Sequence, residues 1–108
     1  MMTRFQVPAE KVPMLGQRAF LQVEHRFIAL FNVNDTLYAI NDSCPHQGAS
    51  LFGGKLEGQV IQCCAHGLRF DLESGYLLNS THLKVKAYPV EYQDDQVFIV
   101  LNSGEADA

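Results

Sequence analysis

Turn-forming residues recur about every 8 to 12 positions along this chain, and that cadence limits what it can fold into. Asn34-Asp35, Gly53-Gly54, Gly58, Ser74-Gly75 and Asp94-Asp95-Gln96 are among these turn signals, and the extended segments they punctuate are short. Residues 26–33 (RFIALFNV) and 36–40 (TLYAI) are rich in β-formers. They flank Asn34-Asp35, two residues that tolerate φ > 0, and so read as a hairpin. Residues 18–24 alternate loosely, with Phe20 and Val23 as the inward positions. Further strands are expected over residues 60–62, 68–72, 84–86, 90–92 and 97–101. Only residues 9–15 suit a helical turn, kept short by Pro8 and Pro13. The expectation is an all-β chain, an antiparallel sandwich or barrel of short strands.

Its 108 residues predict one domain spanning 1–108, with a polar, fraying tail at 103–108. Hydrophobic residues make up 47% and charged residues 19%, too apolar and too weakly charged for disorder. Phe20, Phe27, Phe31, Tyr38, Phe70 and Phe98 alternate with polar positions and are assigned mostly to the sheet core. The net charge of −4, with eight scattered basic residues, argues against nucleic acid as a partner. The first residues lack the apolar stretch and cleavage site of a signal peptide. No apolar run approaches about 18 residues, so no membrane span is expected. Three cysteines, two of them adjacent, make a disulfide framework a poor reading and favour metal binding in a reducing, cytoplasmic setting.

The concentrated chemistry lies in two motifs, Cys44-Pro45-His46 and Cys63-Cys64-Ala65-His66-Gly67, with sixteen residues between His46 and Cys63. They hold all three cysteines and two of the four histidines. Each offers a soft thiolate and an imidazole, a two-sulfur, two-nitrogen donor set compatible with zinc or with an iron–sulfur centre. Two details count against zinc. Its ligands are usually separated by roughly two to four residues, whereas one residue lies between Cys44 and His46. Gly48, Gly53-Gly54 and Gly67 also allow backbone N–H groups to approach closely, which suits inorganic sulfide better than a bare zinc ion. Composition alone leaves both metals open. It also leaves Cys64 open as a ligand, because Cys64-Ala65-His66 repeats the spacing of the first pair.

Cys44-Pro45-His46-Gln47-Gly48-Ala49, followed by Cys63-Cys64-Ala65-His66-Gly67-Leu68-Arg69-Phe70-Asp71, resembles the two cluster-binding loops of the Rieske family. The Phe70–Gly75 turn and Tyr88-Pro89-Val90 before a final hairpin resemble the soluble Rieske ferredoxins. The resemblance implies a sandwich with a small cluster-binding subdomain, about residues 42–72, formed by the two loops. It implies a [2Fe-2S] cluster with Cys44 and Cys63 on one iron and His46 and His66 on the other. Two neutral imidazoles in place of two thiolates leave the centre less negative than an all-cysteine cluster, which raises its potential and couples electron to proton uptake.

The high-potential members carry a loop-bridging disulfide and serine and tyrosine hydroxyl donors. The matching positions here hold Ala49, Ala65, Leu68 and Phe70, which implies a potential near the low end of about −150 to +300 mV. Cys64 stands where the family usually has proline, either as a reactive thiol or as a tolerated replacement.

The function implied is a one-electron carrier passing electrons from a flavin reductase to a terminal oxygenase. The alternative is the Rieske-like small subunit of an NAD(P)H-dependent nitrite reductase, docked on its large subunit. A zinc-stabilised interaction module is a third reading. The chain is not expected to be an enzyme. An oxygenase needs a mononuclear iron site, and only His25 and His82 remain beyond the cluster ligands. It is expected to be monomeric or weakly associated. His25 is read as a solvated turn residue, and His82 as lying in a segment that could approach the site. Leu51 and Phe52 flank the first loop, either as a docking surface or as packing between loops.

Overall fold

The computed structural model describes residues 2–43, 50–63, 67–78 and 83–102. Among them lie ten strands and one 3-10 turn, Ala9–Lys11. The strands are β1 (Met2–Gln6), β2 (Arg18–Val23), β3 (Arg26–Val33), β4 (Thr36–Asn41), β5 (Lys55–Glu57), β6 (Val60–Gln62), β7 (Arg69–Asp71), β8 (Ala87–Tyr88), β9 (Val90–Gln93) and β10 (Gln96–Asn102). They form three antiparallel sheets, in the orders β1-β10-β9, β2-β3-β4-β8 and β5-β6-β7. The all-β expectation is met. No helix of the described residues is long and apolar enough to cross a membrane.

Asn34 and Asp35 both take positive φ, 53° and 66°, between β3 and β4. Asp94 and Asp95 do the same between β9 and β10, at 53° and 63°. Two successive left-handed residues twist a two-residue loop in the sense that antiparallel strands require. Asn32 supports the first turn: its Oδ1 accepts the Asp35 N–H at 3.0 Å and its Nδ2 donates to the Pro13 carbonyl at 3.0 Å.

The sheet of β2, β3, β4 and β8 is the middle layer. On one side Leu21, Val23, Ile28, Leu30 and Ala39 pack with Val97, Ile99 and Leu101 of β10. On the other, Ala29, Phe31 and Ile40 pack with Leu51, Ile61, Cys63, Phe70 and Leu72. This explains why β3 lacks alternation: residues 28–32 are all buried because both faces of the strand are covered. The third sheet is the small subdomain that carries the second Cys–His motif.

Several expectations need correction. Phe20 does not point inward; it is 39% exposed, and Leu21 and Val23 are the buried positions of β2. Phe20 shares the other face with Phe27, its ring stacked at 5.9 Å, and meets Phe52 edge-on at the margin of the small subdomain. The strand expected at 84–86 is displaced to Ala87–Tyr88. Backbone groups just before it are already used, since Leu77 N–H donates to Leu83 and Val85 N–H to Gly75. Strands β1 and β5 were not anticipated. β1 exists by pairing with β10, Met2 opposite Asn102, a partner that no local pattern reveals. His25 lies exposed at the β2–β3 turn, as expected.

Candidate metal centre

The two motifs fall in two connections whose described flanks lie side by side. The first leaves β4 at Asn41. Asp42 follows, anchored by its own N–H to the Phe27 carbonyl at 2.7 Å. Its carboxylate then reaches the far end of the connection. Oδ2 accepts the Ser50 hydroxyl at 2.7 Å, and Oδ1 accepts the N–H groups of Leu51 at 2.7 Å and Phe52 at 2.6 Å. One side chain therefore ties the entry of this loop to its exit with three charge-assisted hydrogen bonds. Leu51 is fully buried and Phe52 half-buried, so Leu51 is core and only Phe52 remains at the surface.

Arg18 on β2 holds the same exit. Its Nη1 donates to the carbonyls of Phe52 and Gly54, both at 2.7 Å, and the guanidinium lies 5.3 Å from the centre of the buried Phe31 ring. Gly54 then passes against the second connection. A methyl group at Gly54 would overlap the carbonyl oxygen of Gln62, the residue before Cys63. Only glycine permits that approach. A groove of about 330 Å³ runs along the contact, lined by Gly53, Gly54, Lys55, Gln62, Cys63 and Gly67.

The second connection starts at Cys63, immediately after β6. Its N–H donates to the Leu68 carbonyl at 2.7 Å, and its carbonyl accepts the Gly67 N–H at 2.9 Å. The loop thus closes on itself before entering β7. Cys63 is 1% exposed and packs with Leu51, Ile61 and Phe70. Phe70 is fully buried in the same cluster and Leu68 is half-buried, and neither carries a hydroxyl.

The subdomain is braced behind this loop by Asp71. Partial burial disfavours its charge. Hydrogen bonds outweigh that cost and hold the carboxyl below its ordinary value: the Gln59 amide first, at 2.8 Å, then the Ser74 backbone N–H, at 3.0 Å.

Of the four residues expected to bind the cluster, Cys63 is placed here. Cys44, His46 and His66 lie outside the described residues, as do Cys64, Ala49, Ala65 and His82. The flanks of both motifs are adjacent, which is what a shared centre requires. Sequence reasoning missed Asp42 and Arg18. An acidic residue two places before Cys44 was a readable signal for a capped loop. Arg18, 34 residues before Phe52, left none.

A layered β-protein that buries a cysteine where the flanks of two Cys–His motifs meet suits a metal–sulfur centre. Residues 5–89 match the Rieske [2Fe-2S] domain, and the chain belongs to that family. It is 36% identical over 81 residues to the ferredoxin component of the naphthalene 1,2-dioxygenase system of Pseudomonas aeruginosa, covering 74% of this chain and 78% of that protein. It is 40% identical over 76 residues to the 3-phenylpropionate/cinnamic acid dioxygenase ferredoxin subunit of Shigella flexneri, covering 68% and 72%. Its fold superposes on the ferredoxin of carbazole 1,9a-dioxygenase from Nocardioides aromaticivorans with a TM-score of 0.78 at 25% identity, covering 90% and 96%. A solved complex of reduced oxygenase and oxidised ferredoxin in carbazole 1,9a-dioxygenase gives 0.77 at 30% identity, covering 89% of this chain and 91% of the matched one.

The residues present fit the family's cluster. Two thiols and two imidazoles are the donor types it takes, and Cys63 sits in an apolar pocket that shields a sulfur ligand from water.

Proposed function

We propose that this chain is a one-electron carrier that accepts electrons from a flavin reductase and delivers them to a terminal oxygenase. The observation that carries the reading is its likeness to ferredoxin components of dioxygenase systems along most of both chains. The solved ferredoxin–oxygenase complex supports the acceptor side. These relatives do not favour the nitrite reductase subunit, and membership of the Rieske family counts against a zinc-stabilised module.

In this reading the chain is one domain with its cluster-binding part at about residues 42–72. Cys44, His46, Cys63 and His66 hold the cluster, which supplies one-electron chemistry when bound. The chain itself performs no substrate chemistry. Its residues bind the cluster, bury Cys63 and keep water from one side through Leu51, Ile61 and Phe70. Leu68 and Phe70 offer no hydroxyl to stabilise an added electron, which supports a low potential within the family. An odd cysteine count supports a cytoplasmic setting.

Anaerobically purified protein is expected to contain two irons and two acid-labile sulfides per chain, with a Rieske-type EPR signal when reduced. A colourless protein with one zinc would overturn the reading. Mixed with a reductase and an oxygenase of an aromatic-ring dioxygenase system, the reduced protein should be reoxidised by the oxygenase in a single exponential at one electron per chain.

A further inference from the structure

We infer that Asp42, Arg18 and Gly54 form a clasp that sets the separation of the two cluster loops and thereby tunes the centre they hold. The inference rests on the reading of those loops as the Rieske site.

A continuous set of contacts joins the flanks of the two motifs. Asp42 stands two residues before Cys44 and binds Ser50, Leu51 and Phe52 at 2.6–2.7 Å. Arg18 binds the carbonyls of Phe52 and Gly54, so the same stretch is drawn onto β2 in the middle layer. Gly54 lies against the Gln62 carbonyl, and Gln62 is bonded directly to Cys63. Every link is either a charge-assisted hydrogen bond or a backbone approach that admits no side chain. The small subdomain meets the middle sheet largely through non-directional apolar packing, which constrains position far less than these bonds do. Arg18 is part-buried over Phe31, where surrounding protein strengthens its hold on the two carbonyls.

The physical consequence follows from how metal centres respond to their surroundings. Residues that orient ligands tune a metal site although they never touch the metal. Asp42 and Arg18 are positioning residues in this sense. Simple structural support predicts a loss of stability when the clasp is cut, and nothing more. Positioning predicts a change in the cluster's own properties at unchanged cluster content.

Arg18→Lys tests the difference, because it keeps the charge while its shorter side chain falls short of the two carbonyls. Gly54→Ala tests it without altering any charge. Holoprotein of each variant is compared with wild type by iron and sulfide content, by the EPR g-values of the reduced state and by voltammetry. Ile99→Val, in the core on the opposite side of the middle sheet, controls for lost stability. The expected result is a shift of g-values and midpoint potential in both clasp variants and none in the control. A coupling between Asp42→Asn and Arg18→Gln in the double variant should appear as a non-additive potential shift.

Clasp variants with two irons and two sulfides, wild-type g-values and wild-type potential would overturn the inference. Should both variants fail to retain the cluster while Ile99→Val retains it, the clasp only supports the loops, and the inference that it tunes the centre is overturned. Wild-type protein without a [2Fe-2S] signal would instead sink the reading of the site itself.

Discussion

Cys63 and Cys64 are neighbours in sequence, and the proposed site takes Cys63 as its ligand. Cys63 is buried beside Leu51, Ile61 and Phe70, and its backbone N–H and carbonyl are both engaged in closing the loop. Those bonds fix its position, as a ligand's must be fixed. Cys63→Ser is therefore expected to abolish the cluster, because a hydroxyl is a poor ligand for iron in a sulfur-rich site. Cys64→Ser should leave two irons per chain and a Rieske EPR signal. Iron analysis of the two purified variants checks both halves, and loss of iron in Cys64→Ser alone would move the ligand by one residue. At this scale the family and its cluster were legible, since cysteine and histidine are rare and their spacing is specific. The residues that support it were not. Asp42 works through a hydroxyl eight positions away and backbone N–H groups nine and ten away, and Arg18 through carbonyls 34 and 36 positions away. Apart from the Ser50 hydroxyl, backbone groups alone form the far ends of these contacts, and no side-chain chemistry marks them.

Among the elements, the turns carry the most information. Gly75 has φ of +85°, and a methyl group there would overlap the Val85 carbonyl oxygen. Val85 N–H in turn donates to the Gly75 carbonyl at 2.8 Å, so the two segments are locked together. Gly75→Ala combines left-handed strain with a steric overlap and should cost stability at the upper end of about 1–3 kcal/mol, read as a lowered denaturant midpoint. The Asp71 carboxylate closes the same turn. Its carboxyl is held below the ordinary value, with burial opposed and outweighed by the bonds from Gln59 and Ser74. The stability it contributes is therefore fully present above the ordinary carboxylate pKa and is lost as pH falls through the lowered folded value. The stability gap between wild type and Asp71→Asn should narrow over that acid range; a pH-independent gap would show that the charge plays no part. Sequence patterns revealed the elements where the cause is local. Asn34-Asp35 and Asp94-Asp95 announced two hairpins because their backbone conformation is intrinsic. β1 and β5 escaped because pairing creates them, β1 with a strand at the other end of the chain. Phe20 misled because an aromatic in a strand reads as core, whereas the small subdomain covers this face only as far as Phe52.

At the scale of the whole molecule, the three layers divide the work. The core between the first and middle sheets, with Ile28, Leu30 and Ile99 at its centre, includes none of the described residues of either Cys–His connection. The core between the middle and third sheets contains Cys63 and the loop exit at Leu51. β3 belongs to both, burying Ile28 and Leu30 on one face and Ala29 and Phe31 on the other. A bound cluster would cross-link the two loops of the second core, so its binding energy should act there and weakly elsewhere. The third sheet has strands of only three residues each, β5, β6 and β7, and short strands give little stability of their own. Removing the cluster should thus lower the energy of local opening in that sheet while leaving the first core near its holo value. Hydrogen exchange compared between holo and apo protein tests this. Amides of β5, β6 and β7 should exchange markedly faster in the apo form. Those of β10 and of the β2–β3 hairpin should be little changed. Uniform acceleration through all three sheets would mean that the molecule folds as one cooperative unit with its cluster, and that the middle sheet does not insulate one core from the other.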